Sequence, residues 1–167
     1  MKKITRILYI CLLGLFSAGT TFAQDQAETA ALTKIIVDGK NFAFAPTYVV
    51  PLTGSSQPLT GGIGLTFNGT ELSVTLPYIG QSYNAGPGTT ANSTIQFSST
   101  TVEYKATEKK NGKMELIFRP KNLKPSGSND PTQLTLSISP DATANLRIIS
   151  SNRQPISYTG TILKAKL

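Results

Sequence analysis

An Asn-Gly pair at residues 68–69 lies between two runs of alternating apolar and polar residues, and it leaves this part of the chain few options besides antiparallel β-structure. Such a pair between alternating runs is the strongest short-range signal for a β-hairpin. A two-residue turn at this position would oppose Phe67 to Thr70, Leu65 to Leu72, and Ile63 to Val74. The turn and the alternation agree on one apolar face, which consists of Ile63, Leu65, Leu72, Val74 and Leu76.

A second Asn-Gly pair, at residues 111–112, predicts another hairpin with a different turn. A two-residue turn would mix apolar and polar positions on each face. A three-residue turn over residues 110–112, with Gly112 left-handed, keeps the faces consistent. It predicts the cross-strand pairs Tyr104 with Phe118, Ala106 with Leu116, and Glu103 with Arg119. The last is an opposite-charge pair, which favours this register.

Similar short runs recur along the rest of the chain, separated by residues typical of turns. Phe42 and Phe44 begin one that Pro46 either ends or bends. Eight to nine short strands at such regular spacing predict a mainly β domain, an antiparallel barrel or sandwich. One N-terminal helix, over residues 24–39, is expected to pack against it. Its predicted apolar stripe consists of Ala27, Ala31, Leu32, Ile35 and Ile36.

The first 23 residues resemble a secretory signal peptide. Lys2, Lys3 and Arg6 precede an apolar run, and small residues end at Ala23. A membrane anchor is the alternative, but the run is shorter than the ~20 apolar residues that a span requires. Cleavage near Ala23 would leave one β-rich domain over residues 24–167, with no transmembrane span, in the periplasm or secreted. It would also lower the formal net charge from +7 to +4.

The residue types restrict the chemistry that the domain can perform. The chain has no histidine, and its only cysteine, Cys11, lies in the predicted leader. The usual nucleophile–base pairs and structural zinc sites depend on these residues. We therefore predict no enzymatic activity, no cofactor and no metal, although a hydrolase with paired carboxylates remains a third alternative.

Two groups of residues are candidates for binding. Tyr78, Tyr83, Arg153 and Tyr158 could form a recognition surface for a ligand or partner, because tyrosine and arginine often anchor such surfaces. They could equally be structural, with buried rings and hydrogen-bonded hydroxyls.

The second group is a basic surface cluster that consists of Lys109, Lys110, Lys113 and Lys121. It could attract anionic envelope components, or its lysines could simply protect the edge of a sheet. A nucleic-acid partner is not expected, since no aromatic residues interleave with the lysines.

Four ordered segments resemble the domain-of-unknown-function family four-two-five-one, exported proteins of Gram-negative anaerobes. They are residues 42–44, residues 76–83 (LPYIGQSY), residues 95–97 and residues 151–160. The resemblance covers nearly all of the chain after the leader. It implies an exported, single-domain, mainly antiparallel protein, and it supplies no activity and no catalytic residues.

The function most consistent with the sequence is a non-enzymatic exported binding or accessory module. Its partner would be a small apolar or amphipathic ligand or another protein, since small antiparallel barrels often enclose one ligand. The alternative is a structural or stress-related envelope protein that acts by association with other surfaces. An exposed apolar patch would favour that alternative.

Overall fold

The structure is a computed structural model, and it describes residues 20–61, 64–81, 83, 93–124 and 131–165, without the side chains of residues 20–26 and 93. The predicted leader up to residue 19, Ile63, and the predicted loop at residues 84–92 lie outside the described residues. The elements are helix α1 (Thr20–Asp38) and strands β1 (Phe42–Pro51), β2 (Gln57–Pro58), β3 (Gly64–Phe67), β4 (Leu72–Tyr78), β5 (Ser93–Ser99), β6 (Thr101–Glu108), β7 (Met114–Lys121), β8 (Pro131–Ile138), β9 (Thr143–Ser150) and β10 (Ile156–Lys164).

The strands form a single antiparallel sheet that curls into a nearly closed barrel. The order along the sheet is β5-β4-β3-β1-β10-β9-β8-β7-β6, with the short β2 paired to β1. Two meanders, β3–β5 and β6–β10, are thus joined through β1. The predicted mainly β fold with one helix is confirmed, and the barrel is the form that it takes.

Alternate side chains of the strands fill the barrel, as a period of two requires. The inner row of β4 is Leu72, Val74, Leu76 and Tyr78, and each is at most 1% exposed. An aromatic cluster crosses the interior from β3 to β6 and β7. The rings of Phe67, Tyr104 and Phe118 contact one another, and each pair of centroids is 5.2 Å apart. This cluster packs the side of the barrel where β5 and β6 end the sheet.

The hairpin of β6 and β7 has the predicted register and turn. Residues 110–112 form the turn, and Gly112 has a φ of 68°. Arg119 Nη1 donates to Glu103 Oε1 at 3.1 Å. The predicted pairs Tyr104 with Phe118 and Ala106 with Leu116 are both present.

The hairpin of β3 and β4 has the predicted faces but not the predicted register. Leu65 pairs with Val74, and Phe67 pairs with Leu72, so four residues rather than two form the turn. Asn68 Oδ1 accepts hydrogen bonds from the backbone N–H groups of Thr70 and Glu71, at 3.1 and 2.7 Å. This asparagine cap stabilises the longer turn. The shift moves the pairing by two residues, which keeps the apolar side chains inside.

Strand β1 is bent at Pro46, one of the two predicted outcomes. Its register against β10 shifts between Pro46 and Tyr48. Gly160 lies opposite Pro46, and a Cβ at position 160 would overlap the carbonyl oxygen of Ala45. The absence of a side chain at Gly160 therefore lets the two backbones meet closely at the bulge.

Helix α1 packs against the barrel through a different face from the predicted one. Val37 is 1% and Thr33 is 5% exposed, with Ile36 partly buried, whereas Leu32 is 53% and Ile35 is 67% exposed. Lys34 Nζ also forms an ion pair with Glu108 Oε2 at 2.8 Å. The predicted stripe was wrong because the contact with the barrel, rather than the count of apolar residues, determines which helix face is buried.

Candidate functional site

Two buried tyrosine hydroxyls connect the end of β4 to the segment between β9 and β10. Tyr158 Oη donates to the carbonyl oxygen of Pro77 at 2.7 Å. Tyr78 Oη lies 2.9 Å from the carbonyl oxygen of Gln81 and 3.2 Å from that of Gln154. Burial raises the pKa of both phenols above the usual value for tyrosine. Both residues are at most 1% exposed, and their hydroxyls point at backbone carbonyl oxygens of distant segments.

Arg153 lies over the ring of Tyr78, with its guanidinium carbon 4.8 Å from the ring centroid. This is the geometry of a cation–π contact. Its Nε atom is buried and has no hydrogen-bond partner among the residues that the structure describes. Three of the four predicted residues, Tyr78, Arg153 and Tyr158, are therefore brought together by the fold.

Tyr83 joins this group through a backbone hydrogen bond. Its N–H donates to the carbonyl oxygen of Asn152 at 2.9 Å, while its side chain is 63% exposed. The Gln154 N–H donates to the Gln81 carbonyl oxygen at 3.1 Å, which strengthens the same link between distant segments. Tyr83 and Arg153 remain the residues of this group with accessible surface.

The predicted basic cluster is divided between the two ends of β7. Lys109, Lys110 and Lys113 surround the turn before this strand, whereas Lys121 is its last residue, about 23 Å away at ~3.3 Å per residue. Lys109 Nζ forms an ion pair with Glu115 Oε1 at 3.0 Å. The positive charge at the turn is therefore partly compensated, and Lys121 does not add to it.

An open cleft of about 610 Å³ lies beside this turn, on the outer wall of the barrel. Lys109 and Lys113 line one side of the cleft. Met114, Ile138 and Ala144, from three adjacent strands, also line it, although they belong to the inward-facing rows and are at most 7% exposed. Outward-pointing polar residues complete the lining, among them Ser137, Asn145 and Thr159.

Sequence reasoning identified the lysines of this cleft but missed its polar lining. Ser137 pairs with Asn145, and Asn145 pairs with Thr159, so a single row across β8, β9 and β10 supplies these side chains. Alternation marks each of them as outward-facing in its own strand. Only the pairing between strands brings them into one row, and the sequence carries no local signal for that row.

A smaller cleft of about 220 Å³ separates helix α1 from the barrel and shares Met114, Ile138 and Ser139 with the larger one. Ala30, Ala31 and Lys34 line it from the helix side. Ile35 lies one turn beyond Ala31 and is exposed, so an apolar helix surface continues outward from this cleft.

The described carboxylates near these surfaces are paired with cations rather than with each other. Glu103, Glu108 and Glu115 each form an ion pair with an arginine or a lysine. Among the described residues, no group of three His, Cys, Asp or Glu side chains could hold a metal ion. No helix in the described part of the chain is both long enough and apolar enough to cross a membrane.

The described residues define a small, nearly closed antiparallel β-barrel with a helix at one end and clefts on its outer wall. The chain belongs to the family described as Domain of unknown function (DUF4251), which it matches over residues 23–162. The resemblance inferred from the four sequence segments is thereby confirmed.

A solved structure supports the same fold. It is the crystal structure of a DUF4251 family protein from Bacteroides eggerthii DSM 20697 at 1.95 Å resolution. The two chains are 16% identical and superpose with a TM-score of 0.62, over 83% of this chain and 89% of that one. No curated protein matches the chain.

Proposed function

We propose that this protein is an exported, non-enzymatic binding module that holds a small amphipathic ligand with one acidic group in the outer-wall cleft. The observation that carries the proposal is the combination of volume and lining. About 610 Å³ falls within the ~300–1,000 Å³ typical of small-molecule sites, and lysine, hydroxyl and amide groups line an open cleft whose surface is mostly apolar. Such a lining suits a ligand with an apolar body and a polar head.

Lys113 is the residue proposed to bind the acidic group. It is exposed, and its Nζ forms no ion pair or hydrogen bond with any residue that the structure describes. Asp141 is nearby, and its pKa is lowered mainly by the hydrogen bond from the Thr143 side chain and, more weakly, by the charge of Lys113. Lys109 is already paired with Glu115, so Lys113, with the Asp141 carboxylate nearby, is the cleft lysine without an ion pair among the described residues.

The barrel interior is a less suitable place for the ligand. Core residues from β3, β4, β7, β8 and β9 have 0% exposure, for example Leu65, Leu72, Leu116, Leu134 and Leu146. If a void large enough for water lay beside one of these leucines, part of that side chain would be accessible. Their 0% exposure therefore argues against such a void next to them. A tightly packed interior is the ordinary state of a folded protein, and it directs the proposal to the outer wall.

The test uses decanoate as the ligand and decanol as its uncharged counterpart. Titration followed by amide NMR should shift the signals of Ser137, Asn145 and Thr159 more strongly with decanoate. Lys113→Gln should weaken decanoate binding about fivefold, since an exposed charge pair contributes up to ~1 kcal/mol. Lys121→Gln is the matched control and should leave binding unchanged. Equal effects of the two substitutions, or no shifts at these amides, would overturn the proposal.

A second function, association with envelope surfaces, is favoured by the exposed apolar face of α1. Leu32 and Ile35 are 53% and 67% exposed on the helix side that faces away from the barrel. If this face binds lipid, the protein should float with phosphatidylcholine vesicles, and Leu32→Gln with Ile35→Gln should abolish flotation. Failure of the wild-type protein to float would remove this function.

A further inference from the structure

Strand β6 ends the sheet, and one of its two edges has no neighbouring strand in the described part of the chain. The strand spans Thr101–Glu108, with most of its residues exposed. The other terminal strand, β5, is partly covered, because Ser98 and Lys124 exchange backbone hydrogen bonds of 2.8 and 2.9 Å. An uncovered edge presents N–H and C=O groups that can pair with another strand.

The hairpin geometry identifies which residues point these groups outward. At the turn, the Lys109 N–H donates to the Lys113 carbonyl oxygen at 2.7 Å, which marks these two residues as a hydrogen-bonded pair. Hydrogen-bonded pairs alternate along antiparallel strands, so residues 103, 105 and 107 bond to β7. The N–H and C=O groups of residues 102, 104 and 106 therefore face the free edge.

We infer that this edge pairs with β6 of a second copy of the chain, antiparallel and about a twofold axis at Tyr104. This register joins outward-pointing backbone groups on both strands, as hydrogen bonding requires. Its cross-strand pairs are Tyr104 with Tyr104, Val102 with Ala106, Thr101 with Thr107, and Glu103 with Lys105. A twofold interface repeats each unlike pair, so two Glu103–Lys105 pairs form.

Charge selects this register over its neighbours. Sliding the second strand by two residues would oppose either Lys105 to Lys105 or Glu103 to Glu103. Like charges directly opposite each other destabilise a strand pair, and unlike charges stabilise it. A lysine on an edge usually discourages pairing, but here Glu103 of the other copy, which also pairs with its own Arg119 at 3.1 Å, would partly compensate it.

Lys34 of α1 and Lys40, which follows the end of α1, approach β6 through contacts with its side chains. Lys34 contacts Glu108, and the Lys40 Nζ lies 5.5 Å from the ring centroid of Tyr104. Both contact side chains that project from the inner face of the strand. The backbone groups of the edge lie in the plane of the sheet, so the two lysines do not occupy their hydrogen-bonding positions.

The test is the oligomeric state of the exported protein by sedimentation equilibrium, from micromolar concentrations to about 1 mM. A dimer is expected at the upper end, because one strand pair buries less than the ~1,200 Å² of a stable interface. Glu103→Lys or Lys105→Glu alone should weaken association by about tenfold or more, since each creates like-charge pairs. Glu28→Lys, the same charge change at an exposed position of α1, should have no effect.

Mixing the two single variants gives the decisive result. A heterodimer of Glu103→Lys with Lys105→Glu again opposes unlike charges at both positions, so the mixture should associate as the wild type does. Circular dichroism of each variant verifies that it is folded. A wild-type protein that stays monomeric throughout the concentration range would overturn the inference. So would a dimer that is insensitive to these charges, or a mixture that fails to recover association.

Discussion

The Tyr158 hydroxyl is the clearest case of a single polar group that supports this fold. It is fully buried and donates to the Pro77 carbonyl oxygen, 81 positions away in the sequence. Tyr158→Phe would leave this carbonyl without its partner, so we expect a loss of about 1–3 kcal/mol in the free energy of unfolding. Urea unfolding at neutral pH measures it. Tyr48→Phe, at a residue that is 49% exposed, is the control and should change stability little.

At the same scale, the sequence predicted that Tyr78, Arg153 and Tyr158 belong together but could not assign their partners. Their grouping followed from residue type, because tyrosine and arginine often anchor recognition surfaces. Their contacts depend on how residues 77–81 and 152–154 meet, and those segments lie about 70 positions apart. The cleft residues Ser137, Asn145 and Thr159 were missed for the same reason. Their identity as a site depends on pairing between strands.

Among the elements, α1 offers a direct comparison between its buried and exposed faces. Val37→Ala should lower the free energy of unfolding by about 2 kcal/mol, because it removes buried methyl groups at a residue that is 1% exposed. Ile35→Ala removes a larger apolar group at a residue that is 67% exposed, and we expect a change within ~0.5 kcal/mol. Thermal or urea unfolding of both variants tests this order, and a larger loss for Ile35→Ala would contradict the observed docking of the helix.

The two hairpins differ in how completely the sequence determined them. For β6 and β7, the turn glycine, the apolar faces and the Glu103–Arg119 pair all agreed on one register. For β3 and β4, the faces were correct, but the Asn68 side chain stabilises a turn longer than the Asn-Gly signal indicates. The helix face was wrong because its burial depends on a surface that exists only after the barrel has formed.

For the whole molecule, the number and direction of the strands were accessible from alternation and turn residues, whereas their order was not. Strand β1 lies between β3 and β10, which begin 22 and 114 residues after it. No local pattern encodes that position. The contact of Gly160 with Ala45 and Pro46 shows the kind of long-range fit that determines it.

The buried phenols predict how the stability of the whole barrel depends on alkaline pH. The pKa values of Tyr78, Tyr104 and Tyr158 are all raised, mainly by burial. An unfolded tyrosine ionises near pH ~10, so above that pH the unfolded chain loses a proton that the folded chain keeps. Stability should therefore be constant with respect to these groups below pH ~10. It should then fall by ~1.4 kcal/mol per pH unit for each tyrosine that remains protonated in the fold.

Urea unfolding at several pH values between about 8 and 11 measures this dependence. Lysines also titrate in this range, so the wild-type slope alone does not isolate the tyrosines. The difference between the wild type and Tyr158→Phe does, because the substitution removes one phenol and leaves every lysine in place. Above pH ~10 the variant should lose stability less steeply, by up to ~1.4 kcal/mol per pH unit, so the deficit that it shows at neutral pH should shrink. Parallel pH profiles would mean that the Tyr158 phenol has the same pKa in the folded and the unfolded protein. That result would contradict the burial of Tyr158 in the structure.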